Sequence, residues 1–131
     1  MARYVIDCSS TLRLASASST IAPEDKLFAP TLWRSEVLSA VYQAVRRNEL
    51  SEDDARERLD YANALTIRLL GDLVLRRRAF ELARDLDLET TYAAEYVALA
   101  QLQKCTLVSA DAQLLERVGD LVPTATVEAL A

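Results

Sequence analysis

Histidine is absent from the 131 residues, which excludes a Ser-His-Asp triad, an imidazole general base and any His-ligated zinc or iron. Cysteine is scarce: Cys8 and Cys105 are the only two, too few to make a thiolate metal site. Any metal is then expected to be a hard cation on oxygen, Mg²⁺ or Mn²⁺ held by carboxylates. Two glycines and three prolines leave little turn material, so loops should be short and most of the chain helical. No apolar run approaches the length of a membrane span, and Met1-Ala2-Arg3 passes straight into the first predicted strand, leaving no room for a targeting leader. These features predict a single cytoplasmic domain over residues 1–131. Positive charge is also in deficit. A formal net charge of −5 argues against a broad surface built to neutralise phosphates. It leaves room for an enzyme whose carboxylates recruit a nucleic acid through a metal. Of the 15 basic residues only Lys26 and Lys104 are lysine; the rest are arginine, the better residue for planar phosphate contacts.

What is present begins with Arg3-Tyr4-Val5-Ile6-Asp7-Cys8-Ser9. The Tyr-Val-Ile run lacks polar alternation, as expected of a central parallel strand covered on both faces. A short helix from Ser9 to about Ser18 and a loop over residues 21–25 should follow, then a strand at 26–29 closed by Pro30. Thr31 is positioned to cap a helix from Leu32 to about Arg47, with Trp33, Val37, Ala40, Val41 and Ala44 along its apolar face. Ser51, with Asp54 three residues on, opens another helix. Its apolar steps Ala55, Leu59, Ala62 and Leu65 carry the helical pattern to about Leu69. Gly71-Asp72 breaks that pattern before a helix marked by Leu75, Ala79, Leu82, Ala83 and Leu86. Residues 92–100 are apolar nearly all round and predict a helix buried against the sheet. Thr106-Leu107-Val108-Ser109 is a further strand, Leu114-Leu115 starts a short helix, and residues 124–127 form a last edge strand. Strand-helix alternation without hairpin signals predicts a three-layer α/β/α fold with a parallel sheet of four or five short strands. Cys8 and Cys105 then fall at opposite ends of that sheet, too far apart for a disulfide.

Three acids draw the chemistry together. Asp7 and Asp111 each end a strand, and in open α/β sheets ligands bind outside the carboxyl ends of strands. The competing reading of Asp7 is a plain helix N-cap. Glu36 lies on or beside the buried stripe of its helix, where a carboxylate needs a partner. Its setting is either an ion pair with an arginine such as Arg13, a snorkelling position at the edge of the stripe, or a site shared with the other two acids. If the strands are parallel neighbours, Asp7, Glu36 and Asp111 arrive at one sheet edge, and a divalent cation relieves their repulsion. Such a cation can activate water and steady developing phosphate charge. The Arg76-Arg77-Arg78 run reads either as a solvated face or as an RNA grip.

The blocks 4–9, 29–40, 91–100 and 107–111, in that order and spacing, resemble the PIN-domain ribonucleases, and among them the VapC toxins of bacterial toxin-antitoxin modules. The likeness spans essentially the whole chain. It implies a PIN-like fold, an acidic pocket binding Mg²⁺ or Mn²⁺, endonucleolytic cutting of RNA such as tRNA or rRNA, a homodimer, and neutralisation by a cognate VapB-like antitoxin. Carried over by position, Asp7, Glu36 and Asp111 match family acids, as catalytic and metal-binding residues. Ser9 and Ser109 match small or hydroxyl positions beside them. One acid is missing: Ala93 stands where the family has Asp at the start of the buried helix. Glu95, the nearest acid, is turned about 200° from that position and is not expected to replace it. The alternative is a catalytically silent PIN-like module that binds RNA or protein. A receiver domain of the response-regulator type ranks below both, because Asp7 has no acidic neighbour.

Overall fold

The computed structural model describes residues 2–130; Met1 and Ala131, the two ends of the expected 1–131 domain, lie outside the described residues. Five strands form one parallel sheet in the order β3-β2-β1-β4-β5: β1 (Arg3–Ile6), β2 (Lys26–Pro30), β3 (Ile67–Leu70), β4 (Thr106–Val108) and β5 (Thr124–Ala125). Val5 and Ile6 on β1 and Leu107 and Val108 on β4 are fully buried, which is why these runs carry no polar alternation. The chain builds outward from β1 through β2 to β3, then returns to the other side of β1 for β4 and β5. The reversal places the topological switch point between β1 and β4.

Six helices make the crossovers: α1 (Cys8–Ser16), α2 (Trp33–Arg46), α3 (Glu52–Ala64), α4 (Leu73–Asp85), α5 (Tyr92–Gln103) and α6 (Ala112–Val118). Helices α1, α2 and α3 pack on one another, α4 packs on α5, and α5 lies against β1, β2 and β4. Ala94 and the run Tyr96 to Ala100 are buried, as the all-round apolar pattern of α5 predicts. The three-layer expectation holds, and both cysteines are free thiols.

The main correction concerns residues 66–70. The helical steps Ala55, Leu59, Ala62, Leu65 extend by one more step to Leu69, so periodicity predicts one helix throughout. Instead α3 ends at Ala64, Leu65 turns to extended backbone, and Ile67–Leu70 becomes the edge strand β3 paired with β2. Four residues support either period, and the open edge of β2 decides between them. Two smaller corrections follow. Thr31 does not cap α2, whose first residue is preceded by Leu32 without a side-chain cap. The last strand stops at Ala125, and a 3₁₀ turn occupies Val127–Ala129.

The shortage of glycine is met at the helix ends. Ser18, Asn48, Asp87 and Lys104 take left-handed backbone, with φ of 50°, 60°, 54° and 55°. Each is followed by an amide that reaches back to a carbonyl five residues earlier: Ser19 to Leu14, Glu49 to Ala44, Leu88 to Ala83 and Cys105 to Ala100. These are Schellman closures built without glycine.

Candidate active site

The carboxyl edge of the sheet at the β1/β4 switch point is built around Asp7. It directly follows β1, is only 8% exposed, and begins α1 with a capping box. Its Oδ1 accepts from the Ser10 amide at 2.8 Å, while the Ser10 hydroxyl accepts from the Asp7 amide at 3.0 Å. The N-cap reading of Asp7 is therefore correct, but it uses only part of the carboxylate. The Ser9 hydroxyl donates to Oδ1 at 2.8 Å and the Ser109 hydroxyl donates to Oδ2 at 2.5 Å. With both protons committed to Asp7, the 3.2 Å contact between the two serine oxygens carries no proton of its own. Those oxygens instead accept from the chain after β4, Ser9 from the Ala110 amide and Ser109 from the Asp111 amide, each at 3.0 Å. Asp7 thus stitches β1, α1 and the β4–α6 turn together.

Glu36 stands on the first turn of α2, half-buried. The Tyr96 hydroxyl of α5 donates to its Oε1 at 2.5 Å. Among the described residues Glu36 makes no ion pair, so the expected alternative of an Arg13 partner is not found. A second buried chain of bonds fixes α2 against α1. The Trp33 indole donates to the Thr11 hydroxyl at 2.9 Å, and that hydroxyl donates to the Asp7 carbonyl at 2.7 Å. Trp33 is one turn before Glu36, so this link sets where Glu36 enters.

The charge of this pocket is felt by its neighbours. Burial, then the negative charges of Glu36 and Asp7, push the Cys8 thiol up to about 12. Burial, the hydrogen bond to Glu36 and the nearby anions keep the Tyr96 hydroxyl protonated. Glu95 is pushed upward by burial and by Glu36, with Arg76 pulling it back. All three groups sit in one negative field that no arginine or lysine neutralises by direct pairing among the described residues.

Asp111 is placed differently from expectation. Its amide reaches Ser109, and so lies two hydrogen bonds from the Asp7 carboxylate. Its side chain turns away to cap α6, accepting from the Gln113 and Leu114 amides at 3.1 and 3.2 Å. Among the described residues no three His, Cys, Asp or Glu side chains stand close enough to share an ion. The expected trio is therefore a pair, Asp7 and Glu36, with Asp111 at its rim. The donor set still suits a hard divalent cation: carboxylate oxygens, no imidazole, and an uncompensated negative field. Ala93 lies half-buried on the first turn of α5, so an Asp there would stand one helical turn before Tyr96.

Tyr96 is the residue that sequence reasoning missed. Its signal was a second tyrosine inside the apolar stretch of α5, three residues after Ala93 and so on the same face. Of the arginine run, Arg78 is structural: its Nε donates to Gln101 Oε1 of α5 at 2.8 Å. Arg76 and Arg77 are exposed.

No family model matches the chain. Among relatives, VapC ribonuclease Mb0985 of Mycobacterium bovis is 32% identical over 114 residues, spanning 84% of this chain and 87% of that protein. Ribonuclease VapC9 of Mycobacterium tuberculosis matches to the same extent. Among solved structures, PAE2754 from Pyrobaculum aerophilum superposes with a TM-score of 0.76 at 24% identity, over 98% of this chain and 91% of that one. VapBC-1 from nontypeable Haemophilus influenzae gives a TM-score of 0.65 at 13% identity, over 96% and 98%. At such identities the structural matches speak for the fold, and the relatives speak for the lineage. The chain belongs to the VapC ribonuclease family.

Proposed function

We propose that this chain is the toxin of a toxin-antitoxin pair, a Mg²⁺- or Mn²⁺-dependent endoribonuclease acting in the pocket of Asp7 and Glu36. The supporting observation is a half-buried Glu36 and a buried Asp7 at one end of the sheet, with no arginine or lysine paired to either among the described residues; both add to burial in raising the Cys8 thiol. Asp7 and Glu36 hold the cation, and Asp111 completes the set from the rim. The bound cation supplies charge stabilisation at a phosphodiester and an activated water. Ser9 and Ser109 keep the Asp7 carboxylate fixed between two strands. Tyr96 does the same for Glu36 from α5, donating as a neutral hydroxyl. We further propose RNA, tRNA or rRNA in kind, as substrate, a VapB-like antitoxin as partner, a homodimer as the assembly, and the cytoplasm as the compartment. No described helix is long and apolar enough to cross a membrane. The chain is read as a single domain over 1–131.

A second reading is favoured by Ala93 together with the outward turn of Asp111: a PIN-like module that binds RNA or protein without cutting. One experiment separates the two. Ala93→Asp, assayed on total RNA with Mn²⁺ and then with EDTA, is expected to give metal-dependent cleavage well above that of the unaltered chain. Absence of cleavage by either protein, with no growth arrest on expression, selects the silent module.

A further inference from the structure

We propose that a cleft at the amino-terminal edge of the sheet, remote from the acids, binds the phosphate of a nucleotide. The cleft has a volume of about 720 Å³, within the ordinary range for small-ligand sites. Strand register places its cations on one face. Arg3 pairs with Lys26 across β1 and β2, and Phe28 pairs with Arg68 across β2 and β3. In-register neighbours, and residues two apart on a strand, point to the same side. Arg3, Lys26 and Arg68 therefore surround the Phe28 ring, and all three line the cleft.

Arg3 is held ready. Its guanidinium carbon lies 4.7 Å over the Phe28 ring, while Nε and Nη2 donate to the Gln103 carbonyl at 3.3 and 3.2 Å. Its Nη2 also reaches the Gln103 Oε1 at 3.5 Å, and among the described residues neither Lys26 nor Arg68 is in an ion pair. Asp25 is the one acid in the lining. Three cations against one acid is a local reversal of a chain whose net charge is −5.

The chemistry favours a nucleotide over other anions. The Arg68 fork and the Lys26 ammonium match the oxygens of a phosphate, with the positive charge of Arg3 beside them, and Ile21, Pro23 and Leu65 give the cleft an apolar wall against which a nucleoside can lie. A free mononucleotide and a nucleotide within an RNA strand present the same group. The acids stand at the far end of strands about 13 Å long at ~3.3 Å per residue, so this site does not rest on the nuclease reading.

The test uses the full chain in EDTA, which keeps the acidic pocket from binding phosphate through a metal. Adenosine 5′-monophosphate and a penta-adenylate RNA are each titrated calorimetrically at low salt. Lys26→Glu with Arg68→Glu is expected to weaken binding about tenfold or more, roughly 1.4 kcal/mol. The equal charge reversal Arg46→Glu with Arg47→Glu, at the end of α2, is expected to leave it within about twofold. If the first pair compromises the thermal melt, Lys26→Gln and Arg68→Gln singly replace it. Binding of the mononucleotide assigns a free ligand, and binding of the RNA alone assigns a strand. The proposal falls if neither binds, or if reversal at Lys26 and Arg68 changes nothing. It also falls if an acidic decapeptide binds as tightly with the same sensitivity.

Discussion

Asp7 and Asp111 occupy the same local setting and are used in opposite ways. Each directly follows or nearly follows a parallel strand, the two strands are neighbours, and each side chain caps the next helix. Asp7 is buried and takes two serine hydroxyls in addition to its cap. Asp111 is exposed and spends its carboxylate on the cap alone. The difference comes from the strands. β1 is central in the sheet, so its end is roofed by α1 and the β4–α6 turn, whereas the turn after β4 is itself the roof. A strand-Asp-helix pattern therefore identifies a cap, and the packing around the strand decides whether the same carboxylate is also a charge held in a dry pocket.

The largest test of that contrast is kinetic. Burial first, and then the charges of Glu36 and Asp7, push the Cys8 thiol up to about 12 from 9.0. At pH 8 the thiolate, the reactive form, is then about a thousandfold rarer than in the unfolded chain. Iodoacetamide labelling is expected to be slow in the native protein and fast in guanidinium. Mn²⁺ bound at the acids would offset their charge and raise the labelling rate, while a rate unmoved by millimolar Mn²⁺ would count against a cation at this pair. The linkage has a definite sign. The group is raised in the fold, so its contribution to stability is complete below pH 9 and is lost as pH climbs toward 12.

Substitution comes next in size. Asp7→Ala removes a cap and leaves Ser109 buried without its acceptor, so unfolding free energy should fall by about 3 kcal/mol, read by urea denaturation. Tyr96→Phe leaves the fold's apolar contacts intact and deletes one bond to a carboxylate. A loss of about 1–2 kcal/mol is expected. In the Ala93→Asp background it should weaken cleavage chiefly by displacing Glu36, an effect that Glu36→Gln would mask.

How much of this could be read from the chain alone follows the same division between local pattern and packing. The buried strands, the apolar α5 and the position of each acid at an element end are local features, and all were legible. The strand at Ile67–Leu70 was not, because its four residues satisfy a helical step as well as an extended one, and only the free edge of β2 distinguishes them. Within the site, Asp7 and Glu36 were legible as acids out of place. The Tyr96 hydroxyl, the Trp33–Thr11 link and the outward turn of Asp111 were not, because each depends on a partner 22 to 60 residues away or on a side-chain rotation that spacing does not encode.

The smallest expected effect is also the one best placed to break the contrast. Asp111→Ala removes an exposed cap from a seven-residue helix and should cost about 1 kcal/mol of stability, well short of Asp7→Ala. Its effect on cleavage is a separate matter. If Asp111 serves only α6, then Asp111→Ser, which restores a capping oxygen, should recover both stability and any activity of the Ala93→Asp protein. If stability returns and cleavage does not, the carboxylate must swing from the helix to the cation during the reaction. The two acids would then differ in their resting partners and agree in their chemistry.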